Sequence, residues 1–71
     1  MRKIVHNSEI LNGKAHFVGT TITVATILNK LASGKSIKEI ARIYPQLSEE
    51  DIISAIKYAE EVFSRPILEN L

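Results

Sequence analysis

Tyr44-Pro45-Gln46-Leu47-Ser48 decides the fold of this chain, because one helical pattern ends before it and another begins after it. Upstream, Ile37, Ile40, Ala41 and Tyr44 recur at i, i+3, i+4 and i+7. Downstream, Ile52, Ala55, Ile56, Ala59, Val62 and Phe63 repeat the spacing of one helix face. Pro45 has no amide hydrogen and biases Tyr44 away from the α region, so the first helix stops there. Ser48 is placed to cap the next helix, with Asp51 as the acid of a capping box. Leu47 and Ile52 occupy the N′ and N4 positions of a hydrophobic staple, which fixes the angle at which the chain enters a helix. The stretch reads as the elbow of a helix-turn-helix.

Working outward, the helix after the elbow is predicted over Glu49 to Phe63. Pro66 stops its continuation and leaves Ile67-Leu68-Glu69-Asn70-Leu71 as a tail. The helix before the elbow opens at Ser36, with Glu39 three residues on, the full capping-box pattern. An earlier helix starts at Val24: Val24, Ile27, Leu28 and Leu31 form its apolar stripe, bracketed by Thr23 as N-cap and Gly34 as C′. Ahead of it, Ile4-Val5 is a weak strand signal. Asn12-Gly13, a dipeptide suited to a type I′ turn, lies between Ile10-Leu11 and Ala15-His16-Phe17-Val18 and makes a short hairpin plausible, so residues 3–22 read as two short strands and their connections. The expected fold is therefore mainly α: a short N-terminal β element, then a three-helix, helix-turn-helix bundle. Residues 1–65 form the domain and 66–71 the tail.

Seventy-one residues support one domain with one small core, and a chain this short buries only about 60% of its unfolded surface. Without cysteine it has neither disulfides nor thiolate metal sites, and His6 and His16 are too few for a structural zinc site. Oligomerisation is the remaining common support for a small scaffold, so a homodimer is expected. No apolar run approaches the roughly 20 residues of a membrane span, and no signal-peptide apolar region is present, so a cytoplasmic protein is expected. The net charge of +1 hides a split. Residues 1–47 carry seven bases against two acids, whereas residues 48–71 carry two bases against six acids. Two partners of opposite sign, one polar head-to-tail self-association or ordinary solvated faces would all produce it.

With the elbow and the Gly-Thr stretch before it both in view, the chain resembles family 433 of the domains of unknown function, a small prokaryotic family. The matching residues are Gly13-Lys14, Gly19-Thr20, Ile22, Val24, Ile27, Leu28, Leu31 and Gly34, then Ser36, Glu39-Ile40 and Tyr44-Pro45-Gln46-Leu47-Ser48. Asp51-Ile52, Ala55 and Tyr58-Ala59 complete them. The resemblance implies a homeodomain-like three-helix fold preceded by short strands. It also implies an antitoxin that neutralises a cognate nuclease-like toxin of the PIN type and binds its own operator. This chain has Thr21 where the family usually has Arg, and Ala15 and Thr23 where it usually has Pro. Threonine cannot supply the guanidinium fork that suits a phosphate or carboxylate, so an anion contact at that position is not carried over.

Read for chemistry, the chain offers no Ser-His-Asp set, no phosphate-cradling glycine loop and no paired histidines, so neither enzymatic activity nor a cofactor or metal is expected. His6 and His16 are expected at strand or loop surfaces. A helix-turn-helix reader brings the start of its second helix to the bases, and here that start is Glu49-Glu50-Asp51, which phosphates would repel. If DNA is bound, the positive charge must come from Lys14, Lys35, Lys38 and Arg42, supported by Lys30 and an Arg2-Lys3 arm; a solvated basic face would have the same composition. Candidate partner-binding residues are Ile53, Tyr58, Ile67, Leu68 and Leu71. Ile53 lies about 100° from Ile52, so one of that pair faces outward unless the buried stripe is wide. Phe17 and Tyr44 are expected to close the core. The resulting expectation is an antitoxin-like protein with a toxin and a second copy of itself as partners. A DNA-binding regulator without a toxin, or a structural interaction module, are the competing readings.

Overall fold

The computed structural model describes residues 2–6 and 13–63, and the order of elements is β1 (Ile4–Val5), β2 (His16–Phe17), α1 (Val24–Ala32), α2 (Ile37–Ile43) and α3 (Glu49–Phe63). Each helix boundary has a local cause. Thr23 caps α1 by accepting from the Thr26 amide at 3.1 Å. At the other end, Gly34 takes a φ of +97°. Its N–H reaches Leu31 O at 3.0 Å while Lys35 N–H reaches Lys30 O at 3.2 Å, the two bonds of a Schellman stop. Ser36 and Glu39 form a reciprocal capping box at the start of α2, both bonds at 3.1 Å. Glu39 consequently titrates below the usual range, chiefly because the Ser36 amide donates to its carboxylate.

The elbow is a β-turn with Pro45 at its second position, closed by Leu47 N–H donating to Tyr44 O at 2.9 Å. Leu47 and Ile52, the two ends of the staple, are both buried, which ties the direction of α3 to the end of α2. All three helix pairs are in contact, and their shared core is built on Ile27, Ile40, Ile52 and Phe17, each fully buried. Truncating one of these isoleucines to alanine is expected to cost about 2–5 kcal/mol, since the cavity left behind adds to the lost transfer energy. Tyr44 packs on the margin of this core, and Phe17 fills it from the strand side.

Two short strands fall within residues 3–22 as expected, but their pairing is not that of the expected hairpin. β2 pairs with β1, antiparallel, with Ile4 opposite Phe17 and Val5 opposite His16. On its other side His16 bridges to Thr23, so both flanks of the strand are taken. Ile10, Leu11 and Asn12 of the expected hairpin lie outside the described residues, but the strand they were to pair with has other partners. His16 is a second correction. It is buried rather than at the surface, with Nδ1 2.9 Å from Lys14 O. A carbonyl can only accept, so Nδ1 carries the proton. Val62 is a third: the periodic stripe assigned it to the core, yet it is 59% exposed. Among the described residues, the elements packed on α3 leave it largely uncovered. No helix among the described residues is long and apolar enough to cross a membrane.

Candidate interaction surfaces

The N-terminal arm is fastened to the elbow by Arg2. Its amide donates to Asp51 Oδ1 at 2.5 Å. Its guanidinium donates from Nε to Gln46 O at 3.1 Å and from Nη1 to Val18 O at 2.9 Å. One side chain thus joins the turn after β2 to the turn between α2 and α3. The expected Arg2-Lys3 arm is divided: Arg2 is committed to these carbonyls, and Lys3 is exposed. Asp51 is the other half of the fastening. Oδ2 accepts from Ser48 N at 2.9 Å, completing the capping box, while Oδ1 holds the arm. The residue is 3% exposed. Burial pushes its carboxyl up, but the hydrogen bonds from Ser48 and Arg2 outweigh that and leave it below the usual carboxylate range.

A groove of about 530 Å³ opens between this arm and the outward face of α3. Ile4, Ile53 and Tyr58 are its half-buried apolar lining, and Lys3, Glu50, Lys57 and Glu61 stand exposed around it. Ile52 is buried and Ile53 turns out, which resolves the ambiguity between them and brings the candidate partner residues Ile53 and Tyr58 into one feature. Tyr58 also borders a second groove of about 240 Å³, lined by Leu28, Ala25 and Val62 with Lys14 beside them. The remaining partner candidates, Ile67, Leu68 and Leu71, lie outside the described residues.

The basic candidates separate in the same way. Lys38 and Arg42 are exposed on α2, with Lys35 half-buried just before it. Lys14 lines the second groove instead, alongside Thr23 and Val62. At the start of α3, Glu49 and Glu50 are exposed and Asp51 is consumed by the arm and the cap. Sequence reading missed Arg2 as a fastening and Asp51 as its receiver, because the link runs through a backbone amide, which every residue type except proline carries. Among the described residues no group of three or more His, Cys, Asp or Glu side chains is arranged to hold a metal ion, and no buried side-chain nitrogen or oxygen lacks a hydrogen-bond partner.

No curated protein and no solved structure matches the chain. A family model described as "Protein of unknown function (DUF433)" matches residues 4–59, which takes in β1, β2, the elbow and most of α3. With that match running through most of the chain, the protein belongs to the DUF433 family.

Proposed function

We propose that the protein is an antitoxin-like module of the cytoplasm that binds and neutralises a small nuclease-like toxin of the PIN type, acting as a homodimer. The observation that carries this reading is the outer face of α3. Two apolar grooves meet there at Tyr58, and one of them ends at the 59%-exposed Val62. Half-buried apolar anchors within a charged margin are what a protein partner uses: the anchors supply affinity and the margin steers encounter. The toxin contact is assigned to the smaller groove at the Val62 end of α3, lined by Leu28 and Ala25, beside the point where the chain continues towards Ile67, Leu68 and Leu71. The test is a search for a PIN-type nuclease gene adjoining this one and co-expression of the two products. A complex that survives purification from wild type and is lost with Val62→Glu is the expected result. No complex with the wild-type protein would refute it.

A second reading, operator binding, is favoured by the exposed Lys38 and Arg42 on the helix leading into the elbow. In this reading α2 and the approach to it contact phosphates. The start of α3 stays away from the bases, because its exposed carboxylates are restricted to accepting from cytosine.

A further inference from the structure

We propose that the 530 Å³ groove is the surface on which two copies of the chain join, with α3 packed antiparallel against α3 of the second copy. This names one partner of the face described above. It rests on that face being a binding surface and not on the identity of any toxin.

The inference comes from the order of side chains along the face. Glu50, Ile53, Ser54, Lys57, Tyr58 and Glu61 lie at i, i+3, i+4, i+7, i+8 and i+11, one side of a helix. An isologous interface requires that whatever residue i meets, its counterpart meets i in return. Place the two-fold axis between Ile53 and Ser54 and the sequence satisfies that condition in charge as well as in shape. Glu50 of each copy falls opposite Lys57 of the other. Ile53 falls opposite Ser54, a bulky side chain against a small one. The Ser54 hydroxyl already donates to Asp51 O at 2.6 Å, so burying it strands no donor.

Glu50 on each side of the axis thus meets a base, and the apolar centre formed by Ile53, with Ile4 beside it, is covered. A heterologous partner would impose no such symmetry on this chain's own charges. Antiparallel helices pack 8–10 Å apart at about 20°, close enough for these pairs to meet.

The test is light scattering of the full chain together with a charge swap. Wild type should scatter as a particle of about twice its 7.9 kDa at micromolar concentration. Glu50→Lys and Lys57→Glu, each exposed and far from the core, should separately weaken dimerisation by about tenfold, and the double variant should restore it. Because the chain has no cysteine, Ser54→Cys introduces a single thiol next to the axis, and mild oxidation should link it to its counterpart across the two-fold. A monomer throughout the micromolar range overturns the proposal. So does a dimer indifferent to both single swaps, or one that Ser54→Cys cannot cross-link, since either places the interface elsewhere. Failure of toxin capture with this dimer intact would refute the toxin reading alone.

Discussion

Asp51 Oδ1 and the backbone amide of Arg2 share a 2.5 Å hydrogen bond across 49 residues of chain, so the carboxylate that caps α3 also holds the N-terminal arm. The wall of the larger groove is built by that bond: Arg2, Lys3 and Ile4 line it from one side and α3 from the other. Loss of the carboxylate therefore removes a helix cap and a groove wall together.

Asp51→Ala is expected to destabilise the domain by about 2 kcal/mol, because it leaves the Ser48 and Arg2 amides without their acceptor. For a domain of this size that corresponds to a fall in Tm of about 8–16 °C by circular dichroism. Asp51→Asn should also destabilise, since its amide group presents a donor to one of two donors. A Tm within about 2 °C of wild type for both variants would show that the carboxylate does not hold the arm.

The same carboxylate sets a pH dependence. Its folded-state pKa is lowered, so the unfolded chain binds the extra proton and stability rises with pH through that window. The contribution is fully present above the ordinary carboxylate value of about 3.9 and is lost as pH falls through the lower folded value. The stability difference between wild type and Asp51→Asn should accordingly be flat above about pH 5 and shrink below about pH 4. Chemical denaturation at a series of pH values measures it.

Helix boundaries were legible because their causes are local. Ser36 with Glu39, Ser48 with Asp51, Gly34 and Pro45 each act within four residues, and α3 runs over the predicted Glu49–Phe63. Strand pairing was not. Asn12-Gly13 announces a tight turn, but His16-Phe17 instead takes Ile4-Val5 and Thr23 as neighbours, and no local signal distinguishes a near partner from a distant one. Periodicity also reports which way a side chain points but not where the neighbouring element ends. It therefore identified Ile52 correctly and misplaced Val62. The candidate site was half legible: Ile53 and Tyr58 stood out as apolar residues off the main stripe, whereas Arg2 and Ile4 gave no sign of facing them.

Gly19 and Arg2 should be energetically coupled. Gly19 has a φ of +79°, and a Cβ there would sit 3.1 Å from Arg2 Nη1. Gly19→Ala is expected to cost about 1–2 kcal/mol, mostly for the left-handed backbone. In an Arg2→Ala background the crowding disappears, so the second substitution should cost less than it does alone. A double-mutant cycle by urea denaturation reads this coupling, and strict additivity would show that the arginine can swing away freely.

Operator binding, where it occurs, should depend on the α2 edge. Replacing Lys35, Lys38 and Arg42 with alanine is expected to reduce the slope of log K against log salt by about 2 to 3, whereas Glu49→Gln with Glu50→Gln should leave affinity unchanged or raise it. Loss of binding in the glutamine variants would place the DNA on α3 instead.

The most direct test of the central claim is a titration of ribonuclease activity. A PIN-type nuclease, taken from a gene adjoining this one where the source genome holds such a gene, is kept at fixed concentration with an RNA substrate, and wild-type protein is added in increasing amounts. Cleavage should fall to background near one equivalent, and Val62→Glu, with an unchanged circular dichroism spectrum, should fail to suppress it. Undiminished cleavage at a large excess of folded wild-type protein would contradict the account.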